Sequence, residues 1–204
     1  MYMINQRILG VIIVALLGVL VVTKQVATGS ILDKPKGNFL VQLVNIFNLF
    51  FLLVVNPLVA ILLITRQYAT ADPTRLNVAN LGVLTTLAIL GMIFYVTGFL
   101  LMAWALITLK RNYQLGGSTP RETDKLVIAG PYRFLRHPMY AAALYISLGL
   151  MLLTQSLACL AVFLIYLVLI LLLIPLEEQG LQQVYGSQYT AYRQKVKKLI
   201  PFIF

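Results

Sequence analysis

Four stretches of this chain contain no Asp, Glu, Lys or Arg: Ile8 to Thr23, Gly37 to Thr65, Leu76 to Leu109 and His137 to Leu176. A soluble domain spreads charge over most of its surface, and a chain with 11% charged and 60% hydrophobic residues has too little to do so. The runs point instead to a membrane protein. A spanning helix takes about 20 apolar residues at roughly 1.5 Å rise each, so the first three runs hold one span apiece. The fourth would be roughly 60 Å long as a single helix, about twice the hydrocarbon thickness. Thr154-Gln155-Ser156 interrupts it near the middle, so it reads as two helices in a tight hairpin. The expectation is an all-α integral membrane protein, one domain over 1–204 with five transmembrane helices at about 8–24, 39–65, 80–109, 138–154 and 157–176. Residues 110–137 and 177–204 then form a loop and a C-terminal helix outside the membrane.

The sixteen basic residues fix an orientation on that path. Loop one, loop three and the C-terminus share a side that carries Lys24, Lys34, Lys36, Lys110, Arg111, Arg121, Lys125, Arg133, Arg136, Arg193, Lys195, Lys197 and Lys198, against Arg7, Arg66 and Arg75 on the other. The positive-inside rule puts the N-terminus outside and the C-terminus in the cytosol of a multi-pass cell-membrane protein. The +10 net charge is then a topology signal and an attraction to anionic headgroups. It is scattered along loops, which argues against a nucleic-acid partner. Arg7 followed by an apolar run imitates a signal peptide, but Thr23-Lys24-Gln25 offers no small-residue cleavage site, so the run is kept as the first span. The single cysteine, Cys159, lies in an apolar helix and reads as core packing. It supports neither a disulfide within the chain nor a thiolate metal site.

Polar groups inside the spans are few. Asn45, Asn48, Asn56 and Pro57 fall in the second, where they serve either interhelical hydrogen bonds with a proline kink or the lining of a substrate cavity. Gly91 and Gly98 in the third span share a face and allow close helix packing. A long polar loop from Asn112 to Leu135 follows, with breakers at Gly116-Gly117, Pro120 and Gly130-Pro131. Loops of this length are usually functional or disordered.

Chemistry concentrates where that loop meets the fourth charge-free run. Arg136-His137-Pro138-Met139-Tyr140 offers a permanent cation, a titratable ring and a phenol at the headgroup level. Glu177 and Glu178 end the run at a boundary where Lys, Arg, Trp or Tyr are the usual anchors. They serve either salt bridges to loop lysines or a cation-binding role. The hairpin returns both segments to one membrane face. Beyond them, Glu178, Gln182, Tyr185, Tyr189 and Tyr192 follow the spacing of one helical face, with Gly186 a weak point and Pro201 a stop. The tyrosines read as an interfacial belt or as a pocket wall. One histidine beside two glutamates lacks a metal-site ligand set, and no nucleotide-binding glycine fingerprint or hydrolase elbow occurs.

These residues resemble the isoprenylcysteine carboxyl methyltransferases and the related phospholipid methyltransferases, and the match looks close to a prokaryotic member. The carriers are Gly130-Pro131-Tyr132, the RHPxY run at 136–140, and Glu177-Glu178 with Leu181, Tyr185-Gly186, Tyr189, Tyr192 and Val196, followed by Pro201-Phe202-Ile203. They lie within roughly the last ninety residues. The resemblance implies an S-adenosylmethionine site formed by Gln114, Leu115, Gly130, Tyr132, His137, Pro138, Tyr140, Glu178, Tyr185, Tyr189 and Tyr192. It puts Arg136 and one of Glu177 and Glu178 nearest methyl transfer, with Arg136 holding the acceptor carboxylate in a bidentate fork. The implied partners are the bilayer and a lipid or prenylated substrate entering sideways from it. Phospholipid or small-molecule N-methylation is the alternative, and an isoprenoid- or sterol-type reductase is a further one.

Overall fold

A computed structural model describes residues 5–32, 38–113 and 124–200. Its helices are α1 (Gln6–Thr28), α2 (Phe39–Phe50), α3 (Asn56–Ile64), α4 (Tyr68–Ala71), α5 (Leu81–Leu109), α6 (Pro138–Thr154) and α7 (Leu157–Lys195). A π-helical turn, Phe51–Val55, joins α2 to α3, and 3-10 turns occupy Lys110–Asn112 and Gly130–Arg133. Among the described residues there is no strand, only two isolated backbone bridges. Four helices are long and apolar enough to cross a membrane: Gln6–Thr28, Phe39–Ile64, Leu81–Leu109 and Leu157–Lys195. The fifth expected span is the shorter apolar helix Pro138–Thr154.

The helices start and stop where local chemistry dictates. Asn5, Asn38, Asn80 and Ser156 accept from the first-turn N–H groups of α1, α2, α5 and α7, satisfying donors that have no intrahelical partner. Pro138 opens α6, where its missing N–H costs nothing. Pro57 removes a backbone donor, and the π turn before it absorbs the change. Phe51 O accepts from both the backbone N–H and the side-chain amide of Asn56, whose carbonyl oxygen receives the Tyr95 hydroxyl at 2.6 Å. Asn56 is therefore an interhelical tie to α5.

The five long helical paths, α1, α2 with α3, α5, α6 and α7, run back and forth between two ends. At one end Arg75 bridges Ser156, and Thr74 O accepts from Leu157 N, which clips the 72–76 segment to the α6–α7 turn. At the other, Lys24 near the end of α1 lies 5.3 Å over the ring of Tyr113, just past α5. The two-residue turn between α6 and α7 has Gln155 in the left-handed region. α5 and α6 pack closely, since a Cβ on Gly149 would meet Tyr95 N at 2.5 Å and Gly91 O at 2.8 Å. Only backbone stands in the way, so Gly149→Ala must push the helices apart. Overpacking of this kind costs about 1–3 kcal/mol, read as a lower thermal midpoint in detergent; an unchanged midpoint would refute the contact.

α7 departs from the expected break at residue 176. It runs on through Glu177-Glu178 without interruption and turns instead at Gly186, whose φ of 50° and ψ of −122° are available to glycine at little cost. Gln182 closes the bend by donating to Gly186 O and pairing with Thr190.

Candidate active site

A cavity opens between α2, α5, α6 and α7 at the end that carries Lys24 and Tyr113. Its polar half is lined by Arg136, His137, Pro138, Tyr140, Glu177, Tyr185, Tyr189 and Tyr192, with Tyr113, Asp124 and Lys125 at its rim. Its apolar half reaches Val44, Met102, Ala143 and Tyr166, with Asn45 and Asn48 beside them. Seven of the eleven tyrosines line it.

The two glutamates, adjacent in sequence, do different work because consecutive helical residues point about 100° apart. Glu178 is buried and turned away from the cavity toward a shallow recess lined by Gln179, Gln182, Arg193 and Lys198. Its Oε1 accepts from Arg136 Nε at 2.9 Å and pairs with Arg136 Nη2 at 2.7 Å and His137 Nε2 at 3.2 Å. Burial acts to raise this carboxyl, but hydrogen bonds from His137 and Arg136 and the charges of the same groups outweigh it. The net pKa falls from 4.5 to about 2. A carboxyl depressed on folding lends stability that is complete above its ordinary value and disappears as pH falls toward the folded one. The thermal midpoint of the protein relative to Glu178→Gln should thus hold steady down to the ordinary value of 4.5 and drop from there toward about 2.

Glu177 faces the cavity. Its Oε2 accepts the Tyr140 hydroxyl, and its Oε1 lies 4.0 Å from His137 Nδ1. The His137 ring stacks on Tyr140, with centroids 5.6 Å apart and planes at 15°. The face of α7 that lines the cavity is thus Glu177, Leu181 and Tyr185; of the face predicted from spacing, Tyr185, Tyr189 and Tyr192 reach the cavity, whereas Glu177 and Leu181 stand where Glu178 and Gln182 were expected. The bend at Gly186 resets the helix so that Tyr189 and Tyr192 return to the same cavity. Burial raises Tyr132, Tyr189 and Tyr192 above the ordinary phenol value, so all three keep their proton at neutral pH.

Arg136 does not present an open fork. Besides Glu178, its Nη1 donates to Arg193 O and Val196 O at the end of α7, leaving one Nη2 hydrogen of its five. The backbone adds to the suture: Arg136 N donates to Lys197 O at 2.7 Å and His137 N to Lys198 O at 3.1 Å. His137 stays outside the helix because the residue before a proline is held out of the helical region, and it sits at φ −123°, ψ 60°. Tyr192 completes the join by donating to Tyr132 O at 2.6 Å.

The other expected site residues fall into place as follows. Tyr132, Pro138, Tyr140, Tyr185, Tyr189 and Tyr192 line the cavity together with Arg136, His137 and Glu177. Gly130 faces Thr108 and Trp104 of α5, shaping the turn. Gln114 and Leu115 lie outside the described residues. Asn45 and Asn48 reach the cavity and Asn56 does not. Tyr166 was not expected, and Leu181 was noted only as part of the resemblance and not as a site residue, although both share a helical face with Glu177 at spacings of eleven and four. No group of His, Cys, Asp and Glu among the described residues is arranged to hold a metal.

Comparison with known proteins bears on this arrangement directly. The family model described as phospholipid methyltransferase matches residues 86–188, from early α5 to just past the Gly186 bend. The chain belongs to the phospholipid methyltransferase family. It is 33% identical over 119 residues to protein-S-isoprenylcysteine O-methyltransferase B of Arabidopsis thaliana, covering 55% of this chain and 58% of that protein. It is 30% identical over 130 residues to protein-S-isoprenylcysteine O-methyltransferase of Xenopus laevis, covering 61% and 44%. The match thus spans less than three-fifths of either relative's length. In fold, this member of the family is similar to a solved structure of the eukaryotic intramembrane Ras methyltransferase ICMT, with a TM-score of 0.54, 22% identity, and coverage of 94% of this chain and 76% of that one.

Proposed function

We propose that this chain is an S-adenosylmethionine-dependent methyltransferase that methylates the carboxylate of a prenylcysteine-like lipid, with five membrane spans, an outer N-terminus and the cavity mouth at the cytosolic face. One observation carries the reading: a single cavity joins a carboxylate among tyrosines to an apolar half at membrane depth. The relatives named for isoprenylcysteine O-methylation support it. When bound, S-adenosylmethionine supplies an electrophilic methyl group on a sulfonium. The donor set fits such a molecule, since Glu177 can balance its cationic end and tyrosine faces attract cations and flank aromatic rings.

A carboxylate acceptor is already ionised at neutral pH and needs no general base. The residues of this chain then act by position. Tyr132, Tyr189 and Tyr192 crowd water out of the polar half, and the Arg136–Glu178 pair fixes the C-terminal wall. Alignment of reactants in a water-poor site lowers a barrier by several kcal/mol, and up to about 11 in well-oriented cases. The lipid would enter between helices while the water-soluble cofactor enters from the cytosol.

The test is binding of S-adenosylhomocysteine and of reduced nicotinamide dinucleotide to detergent-purified protein, followed by transfer of labelled methyl to N-acetyl-S-farnesylcysteine or to an ethanolamine lipid. Binding of the nicotinamide alone would sink the reading in favour of a reductase. Label on the ethanolamine lipid alone would replace carboxyl with amine as the acceptor.

A further inference from the structure

The apolar half of the cavity ends on one side chain. Tyr166 lies eleven residues before Glu177 on α7, three helical turns, and so on the same face. At roughly 1.5 Å rise per residue it sits about 16 Å below the carboxylate. No other lining residue lies as far along its helix from the polar end. Asn48 is nine residues from the start of α2, Met102 seven from the end of α5, and Ala143 five from the start of α6.

Tyr166 is also firmly held. It is 1% exposed. Its hydroxyl donates to Asn48 Oδ1, which ties α7 to α2 across the cavity. Its ring meets Phe47 and Phe51 nearly edge-on, with centroids 5.2 Å and 5.6 Å away and planes at 68° and 64°. Phe51 opens the π turn, so the backbone irregularity and the cavity floor coincide. A wall fixed by a hydrogen bond and two ring contacts does not yield to a chain that runs into it, because packed interiors lack the spare volume to absorb a methylene.

Resting on the methyltransferase reading of this same site, we propose that Tyr166, locked by Asn48, is the end-stop that sets the longest lipid chain the cavity accepts. The chemistry recognised is a linear isoprenoid tail whose head lies near Glu177. Chains that stop short of the ring bind with all their methylenes buried. One isoprene unit too many must be expelled or must displace the ring.

The experiment uses the full-length protein with S-adenosylhomocysteine bound, so that no turnover occurs, and measures affinity for N-acetyl-S-prenylcysteines carrying geranyl, farnesyl and geranylgeranyl tails. The wild type should show a chain length beyond which affinity falls by roughly 10-fold or more, as expected when a tight apolar pocket meets excess methylenes. Tyr166→Leu should move that fall one isoprene unit longer, Tyr166→Trp one unit shorter, and Tyr166→Phe, which keeps the ring contacts and loses the bond to Asn48, should leave the fall at the same chain length but make it shallower. Unchanged S-adenosylhomocysteine affinity certifies each variant's fold, and should Tyr166→Leu fail to fold, Tyr166→Trp decides alone. A chain-length profile that does not move in folded variants overturns the end-stop and leaves the methyltransferase reading intact. Failure of the wild type to bind any prenyl thioether while retaining S-adenosylhomocysteine overturns both the lipid assignment and the end-stop.

Discussion

Replacing Glu177 with Gln should weaken S-adenosylhomocysteine binding roughly 10- to 100-fold, the worth of a hydrogen bond to a charged group, while leaving the fold intact. Glu177 is half-exposed and faces the cavity, and its Oε2 receives the Tyr140 hydroxyl. Gln keeps the shape and can still accept from Tyr140, so what is lost is the negative charge aimed at the ligand. 5′-Methylthioadenosine, which lacks the amino-acid end, should bind the variant as well as it binds the wild type. Titration calorimetry of both ligands on both proteins decides the matter. Equal loss for the two would place Glu177 elsewhere in the pocket wall, and no loss would remove it from the site. The contrast is Glu178→Gln, whose damage should appear first in the thermal midpoint, because that carboxylate is spent on Arg136 and His137.

Much of this was legible before any coordinates. Charge-free runs located the long helices because the bilayer tolerates so few ionised groups, and the 154–156 interruption marked the two-residue turn between α6 and α7. The convergence of Arg136 with Glu177-Glu178 followed from the hairpin alone. What escaped was phase. Gly186 was marked as a weak point in the pattern, and it does leave the helical region; its direction was not legible, and Tyr189 and Tyr192 reach the cavity by way of that bend. Spacing left open which of the two adjacent glutamates faces the cavity, because a shift of one residue exchanges their surroundings. Tyr166 was hidden for a different reason: inside a run of leucines and isoleucines, an aromatic is indistinguishable from core until its hydroxyl finds Asn48. Arg136 looked like a substrate clamp because guanidinium forks match carboxylates. Sequence could not reveal that two main-chain carbonyls from residues 193 and 196 had already claimed its Nη1.

Those carbonyls lead to the second large effect, loss of function through Arg136→Ala without direct loss of a ligand contact. The variant leaves Glu178 buried with only His137 for company and strips Arg193 O and Val196 O of their donor. Breaking a buried pair from one side costs about 3–5 kcal/mol because the remaining charge is uncompensated. The weakest joint should give first. The two backbone hydrogen bonds from Arg136 and His137 to Lys197 and Lys198 join the loop to the C-terminal segment, and with Arg136 gone the segment beyond Gly186 loses its main side-chain anchor. Hydrogen exchange should rise sharply over residues 187–198 while the amides of α5 and α6 stay protected, and methyl transfer should vanish in step with that opening. Arg136→Lys should rescue little, since an ammonium cannot span Glu178 and both carbonyls as the planar fork does. The double variant Arg136→Met with Glu178→Leu should regain part of the thermal midpoint, because apolar pairs often replace buried ion pairs at no net loss. It should nevertheless stay inactive, with His137 deprived of the carboxylate at its Nε2. Full activity in the double variant would show that the pair is not what holds the wall of the cavity in place.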